Sequence, residues 1–139
     1  MTTGPWPASV PRVLLDTCAV IDLERLDLGA YADARPAVSA VTIAELGYGM
    51  DVDDPIRRLD RTERFYAVLD HFEVLAFDTA AAKVYATMAA LVRRHGRNPR
   101  PRRMDLQIAA TAAAHRLPLL TRNGKDFAGL ERLLRVVDL

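Results

Sequence analysis

Four acidic side chains occur where they could act together in phosphate chemistry: Asp16, Glu45, Asp105 and Asp126. Carboxylates that share a pocket repel one another, so they need a cation unless they are protonated. Hard oxygen ligands favour Mg²⁺ or Mn²⁺ over Zn²⁺. Such ions activate a water molecule and stabilise in-line displacement at a phosphate. The residue types therefore indicate metal-assisted phosphate-ester chemistry, provided that the fold brings the four together.

The elements that must position these acids alternate between strand and helix. Short apolar runs predict strands at 13–15, 37–40, 73–77, 117–120 and 134–137. The pattern predicts two helices capped by Thr17 and Thr42, and a third that begins near Pro55. It predicts two more at 79–94 and 104–115, separated by a loop at 95–103. Alternation of this kind predicts an α/β fold with a mostly parallel sheet of four to five strands, covered on both faces.

One edge of such a sheet collects the acids, because the carboxyl ends of parallel strands meet there. Asp16 ends the first strand, and Glu45 is expected in the first turn after the second. Asn123 and Asp126 follow the fourth strand. Asp105 opens the helix that feeds that strand, so its end of the helix lies at the same edge. The spacing thus predicts an acidic pocket.

Each acid also has an ordinary structural interpretation. Thr42 and Glu45 match a helix capping box, and the helix dipole alone favours Asp105 in a first turn. Asp126 could lie in an exposed turn. Asp16 is harder to explain this way, because a buried, unpaired carboxylate after an apolar strand is costly. Asp78 also ends a strand, and spacing leaves its place in the pocket open.

Four segments resemble the motifs of PIN domains, in the order and at the spacing of that family. Residues 14–22 (LLDTCAVID) resemble the opening motif, and 39–46 (SAVTIAEL) the second. Residues 105–112 (DLQIAATA) resemble the third, and 120–127 (LTRNGKDF) resemble the last segment as VapC-type toxins carry it. The chain is therefore similar to PIN-domain ribonucleases, and more narrowly to the toxin of a VapBC-type toxin–antitoxin pair.

The resemblance implies a three-layer α/β/α fold and a Mg²⁺ or Mn²⁺ site that cuts RNA. It carries Asp16, Glu45 and Asp105 over as the central acids, with Asp126 as a fourth. It implies a small VapB-type antitoxin as partner and a homodimer. It also puts the third strand at the sheet edge, where Asp78 would cap a helix.

Three further positions matched by the resemblance have supporting roles. Thr17 and Thr121 match positions that hydrogen-bond the acids, and Asn123 would lie near the metal or the phosphate. Asn123 or Asp126 could be the fourth site residue. Cys18 departs from the usual Ser, and Gly47 stands where many relatives have Arg.

A dense basic cluster precedes Asp105, with five arginines and a histidine between 93 and 102 and Arg103 after them. Runs of charge are usually solvated loops. Because this one leads into the acidic site, we expect Arg100, Arg102 and Arg103 to hold the RNA backbone.

Other functions fit the residues less well. A receiver-like phospho-acceptor domain would need an acid beside Asp16 and an acceptor such as Asp78. A HAD-type phosphatase needs Asp where Cys18 stands. A Cys-based phosphatase needs five residues between its Cys and its Arg, whereas six residues separate Cys18 from Arg25. A non-catalytic PIN-like scaffold is the remaining alternative.

The size and composition predict a single domain over 1–139, with 1–11 as a loose arm. One cysteine cannot form an intramolecular disulfide, which favours a reducing compartment. No apolar run is long enough to cross a bilayer, and the proline-containing start does not resemble a signal peptide. We expect a cytoplasmic protein.

Overall fold

Five strands paired in parallel form one sheet in the computed structural model, which describes residues 10–139. The strands are β1 (Arg12–Leu15), β2 (Arg35–Ser39), β3 (Glu73–Leu75), β4 (Leu119–Thr121) and β5 (Val136–Asp138). Their order is β3-β2-β1-β4-β5, so β1 lies at the centre. The predicted parallel sheet is confirmed. Most of the expected arm, 1–9 of 1–11, lies outside the described residues.

Five α-helices connect or flank these strands: α1 (Thr17–Ile21), α2 (Ala40–Tyr48), α3 (Pro55–His71), α4 (Thr79–Arg94) and α5 (Arg103–Ala114). Two predicted helix starts are wrong. Asp16, not Thr17, caps α1, and Ser39, not Thr42, caps α2. The Ser39 hydroxyl accepts the backbone N–H of Val41 at 3.1 Å, which satisfies one of the free amides of the first turn.

Two apolar clusters lie on opposite faces of the sheet, as a three-layer fold requires. Successive residues of a strand point to opposite faces, and Leu14 packs with α4 and α5, next to Met88 and Leu106. Val13 and Leu15 pack on the other face, with α1 and Val68 of α3. Both faces of β1 are covered, which explains why its three buried residues, 13–15, are all apolar. None of the helices within residues 10–139 is long and apolar enough to cross a membrane.

The edge position of β3 decides the role of Asp78. Its carboxylate accepts the backbone N–H of Ala81 at 3.0 Å and so caps α4. Because β2 separates β3 from the central strand, Asp78 does not join the carboxylates that follow β1. The helix-cap interpretation is confirmed, and a receiver-like domain loses its phospho-acceptor.

Candidate active site

Asp16 is a buried carboxylate between the end of β1 and the start of α1. One of its oxygens accepts the N–H of Ala19 at 2.8 Å, and the other accepts the hydroxyl of Thr121 on β4. Burial raises the pKa of Asp16, the two hydrogen bonds oppose that change, and the charge of Asp126 raises the pKa further. Asp16 is thus held by α1 and by β4, and its burial makes it costly to ionise.

Glu45 is joined to the end of β1 through Thr17. The Thr17 hydroxyl donates to Glu45 Oε1 at 2.8 Å and lies 3.1 Å from the hydroxyl of buried Thr42. Because the one hydroxyl proton of Thr17 goes to Glu45, Thr42 must donate in the second bond. The predicted capping box between Thr42 and Glu45 is wrong, and so is the placement of Glu45 in a first turn. Since α2 begins at Ala40, Glu45 lies in its second turn.

Asp105 lies in the first turn of α5, as predicted, and is electrostatically coupled to the other acids. Partial burial raises the pKa of Asp105, and the charges of Glu45, Asp16 and Asp126 raise it further. The positive charge of Arg102 partly offsets this rise in the pKa of Asp105. The fold therefore brings together all four acids that the sequence predicted at this edge.

Asp126 lies in a 3₁₀ turn, Gly124–Phe127, and is bound by Arg102. Arg102 Nη1 donates to the backbone oxygen of Asp126 at 2.7 Å, and Nη2 lies 3.4 Å from its carboxylate. This clamp is a role that sequence spacing did not reveal. The side chains of Arg100 and Arg103 are not so engaged and their residues are exposed. RNA binding by Arg100, Arg102 and Arg103 stays a prediction.

Asn123 contacts two residues that adjoin the carboxylates, Thr121 and Cys18. Its backbone N–H donates to the Thr121 hydroxyl at 3.0 Å, and its side-chain nitrogen lies 3.9 Å from Cys18 Sγ. Desolvation raises the pKa of Cys18, and so do the nearby charges, first that of Asp16. The thiol is therefore kept neutral, which argues against a cysteine nucleophile.

An ion pair that the sequence did not predict links α1 to the loop after β4. Arg122, directly after β4, binds the carboxylate of Asp22, which caps the end of α1. Both residues lie in quoted motifs, but they are far apart in sequence, and no local signal pairs them. The contact joins the loop that contains Asn123 to α1, the helix that Asp16 caps.

The donor chemistry of the site fits a hard divalent cation. The four acids supply only oxygen, which Mg²⁺ and Mn²⁺ prefer. Across residues 10–139, however, no three Asp, Glu, His or Cys side chains stand close enough to ligate one ion. Protein donors hold oxygens of three of the acids, Asp16, Glu45 and Asp126. These contacts leave lone pairs for a cation, but the acids would have to move closer together to ligate one ion.

The family profile described as "PIN domain" matches residues 13–133, which contain all four acids and their supporting threonines. The chain belongs to the PIN domain family. The sequence-based expectation of this family is confirmed, and the HAD-type alternative is wrong.

Within the family, the similar proteins are of the VapC type. The chain is 32% identical to Ribonuclease VapC4 of Mycobacterium tuberculosis over 124 residues, covering 88% of this chain and 93% of that protein. It is 37% identical to Ribonuclease VapC5 of the same organism over 125 residues, covering 85% and 87%. Both matches extend over nearly the whole length of each chain.

A solved structure gives the same result for the fold. A member of the VapBC family of toxin–antitoxin systems, VapBC-5 from Mycobacterium tuberculosis, superposes with a TM-score of 0.77 at 30% identity. The match covers 92% of this chain and 98% of that one. The three-layer PIN-like architecture expected from the motifs is thereby confirmed.

Proposed function

We propose that this protein is a metal-dependent endoribonuclease and acts as the toxin of a toxin–antitoxin pair. The observation that carries the proposal is the position of the four carboxylates at one edge of the sheet, where Thr121 of β4 donates to Asp16 and Thr17 of α1 donates to Glu45. The curated relatives are named ribonucleases, which supports RNA as the substrate. The assignment of Mg²⁺ or Mn²⁺ rests on the donor chemistry.

Asp16, Glu45, Asp105 and Asp126 are the residues that would hold the cation. When bound, Mg²⁺ or Mn²⁺ supplies the positive charge that lets a phosphodiester approach the carboxylates and makes a water more acidic. A carboxylate of the four that the ion leaves free could accept a proton from the attacking water.

The threonines around the acids fix the geometry of the site. Thr121 and the N–H of Ala19 hold both oxygens of Asp16, and Thr17 holds Glu45. Asp16 and Glu45 are therefore oriented before substrate arrives, which reduces the reorganisation needed in the reaction. Arg102 limits the repulsion that Asp126 adds to the cluster.

Cleavage of total RNA by the purified, partner-free chain tests the nuclease. We expect discrete fragments with Mg²⁺ or Mn²⁺, and none with EDTA or with the Asp105→Asn or Glu45→Gln variants. Asp70→Asn, an exposed acid on α3, is the matched control and should cleave like the parent. Cleavage that survives Asp105→Asn would mean another site or a contaminant. No cleavage together with no Mn²⁺ binding would favour the scaffold alternative.

The toxin role has a separate test in cells. The solved relative belongs to a toxin–antitoxin family, which supports a small VapB-type antitoxin as the partner and the cytoplasm as the place of action. We expect expression of the chain alone to stop growth, and co-expression of the antitoxin to restore it. If growth continues while the purified protein still cuts RNA, the toxin role is wrong and the nuclease stands.

The homodimer expected from the family stays a prediction. Light scattering on the purified chain, with and without the antitoxin, measures it directly. A monomer at all accessible concentrations would contradict it.

A further inference from the structure

A groove between α1 and α3 opens directly beside the acidic site. Its volume is about 520 Å³, and Thr17 and Glu45 form part of its wall. The facing wall is α3, which contributes three arginines to the lining, Arg57, Arg61 and Arg64. The groove therefore leads from solvent to two residues of the site along a basic helix face.

The three arginines share a face of α3 because they are spaced by four and then three residues. Arg61 Nη1 donates to the backbone oxygen of Gly49 at 2.8 Å, which holds α3 against the end of α2. Within the part of the chain that the structure describes, no ion pair engages Arg57 or Arg64. Their guanidinium groups are thus free to bind an anion.

The charges of the groove favour an anionic ligand near the acidic site. Three arginines face two acids there, Glu45 and Asp60. The groove continues into a second cavity of about 530 Å³, which shares Asp60 and Arg64 but adds Glu24 and Glu63. Positive charge is therefore concentrated at the end next to the catalytic carboxylates. Guanidinium groups bind phosphate through two parallel hydrogen bonds, so the fitting ligand is a phosphodiester chain.

We infer that the RNA backbone lies in this groove, with its phosphates bound by Arg57, Arg61 and Arg64 beside the site of cleavage. The inference rests on the proposed ribonuclease function and specifies the path of the substrate. It differs from the path over the 95–103 loop that the sequence suggested. Each path has one arginine that the protein already engages, Arg102 with Asp126 and Arg61 with Gly49. The groove is favoured because Thr17 and Glu45 of the acidic site form part of its wall.

Fluorescence anisotropy with a short labelled single-stranded RNA of mixed sequence tests the path. The parent for binding is Asp105→Asn, so that Mg²⁺ can be present without cleavage. Adding Arg57→Gln and Arg64→Gln should weaken binding roughly tenfold at low salt and reduce the slope of log K against log[salt] by about 1.4, for two lost contacts on a single strand. Arg61 stays intact because it also joins α3 to α2.

Two comparisons separate a groove contact from general loss of charge or fold. The double variant Arg58→Gln/Arg132→Gln removes the same charge from exposed residues that do not line the groove, and should bind like the parent. Asp60→Asn removes a carboxylate from the groove and should tighten RNA binding, which damage to the fold would not do.

Three results would overturn the path. Unchanged affinity and salt slope in Arg57→Gln/Arg64→Gln, with loss of both in Arg100→Gln/Arg103→Gln, would place the RNA on the 95–103 loop. Loss of antitoxin binding by the groove variant, with RNA binding intact, would make the groove a protein-docking surface. A wild-type chain that neither binds nor cuts RNA would remove the proposed function itself, whereas the first two results leave it standing.

Discussion

Arg102 and Asp126 are joined by two contacts that connect the start of α5 to the turn after β4. The 2.7 Å bond to the backbone oxygen fixes the turn, and the 3.4 Å contact places a positive charge beside the carboxylate. Asp105 lies three residues after Arg102, and the positive charge of Arg102 partly offsets the rise in the pKa of Asp105. One arginine thus positions one acid of the site and partly compensates another.

The charge of Arg102 competes with a divalent cation for the cluster. We expect Arg102→Gln to bind Mn²⁺ up to about fivefold more tightly, the range of an exposed ion pair, while RNA cleavage falls because the turn carrying Asp126 loosens. Mn²⁺ titration and cleavage rates measure the two effects. Arg100→Gln is the matched control and should leave Mn²⁺ affinity unchanged. Weaker Mn²⁺ binding in Arg102→Gln would mean that orientation of Asp126 outweighs repulsion.

The raised pKa of Asp105 predicts a stability cost in metal-free protein. Since the folded state holds this proton more tightly than the unfolded chain, stability falls as the pH rises from 3.8, the ordinary pKa, through the raised value. Asp105→Asn should therefore raise Tm in EDTA at neutral pH, by about 2 °C after allowance for its partial exposure. The gain should vanish below pH 3.8.

Thermal melts across this pH range check the prediction, with exposed Asp33→Asn as the control. Mn²⁺ should raise the Tm of wild type and have little effect on Asp105→Asn. A lower Tm for Asp105→Asn in EDTA would show that the carboxylate stabilises the metal-free fold.

The hydroxyl of Thr121 connects Asp16 to the backbone N–H of Asn123. Thr121→Val keeps the volume of this fully buried side chain but leaves Asp16 and that N–H short of a partner. We expect it to lower the free energy of unfolding by about 1–3 kcal/mol and RNA cleavage by at least roughly tenfold. Thr121→Ser should recover most of both. Urea denaturation measures the stability of the variants, and cleavage rates measure their activity. Equal cleavage by Thr121→Val and Thr121→Ser would contradict the role given to the hydroxyl.

Cys18 can report the charge of the site without any assay of RNA cleavage. Desolvation and the surrounding acids raise the pKa of its thiol, so alkylation by iodoacetamide should be slower in the folded than in the urea-unfolded chain at the same pH. Asp105→Asn, and Mg²⁺ added to wild type, should each accelerate the reaction by removing negative field. Mg²⁺ that leaves the rate of the wild type unchanged would argue against a cation at these carboxylates.

The candidate site could be found in the sequence because its parts are local. An acid after a buried strand, and an acid opening the helix that feeds a parallel strand, must lie at one edge of the sheet. Asp16 and Asp105 follow directly from this rule, Glu45 and Asp126 follow because they come soon after the second and fourth strands, and the motifs support all four. The strand boundaries were predicted to within a few residues because both faces of the sheet are covered, which makes the strands short apolar runs.

The tertiary structure alone decided which groups hold those acids. Thr42 looks like a helix cap in sequence, but Ser39 takes that place, and the Thr42 hydroxyl is buried against Thr17 instead. Arg102 looks like one cation of a solvated loop, yet it binds Asp126, 24 residues away. A local sequence pattern reflects secondary structure and the periodicity of buried residues. A long-range side-chain contact depends instead on how two elements distant in sequence pack together in the fold.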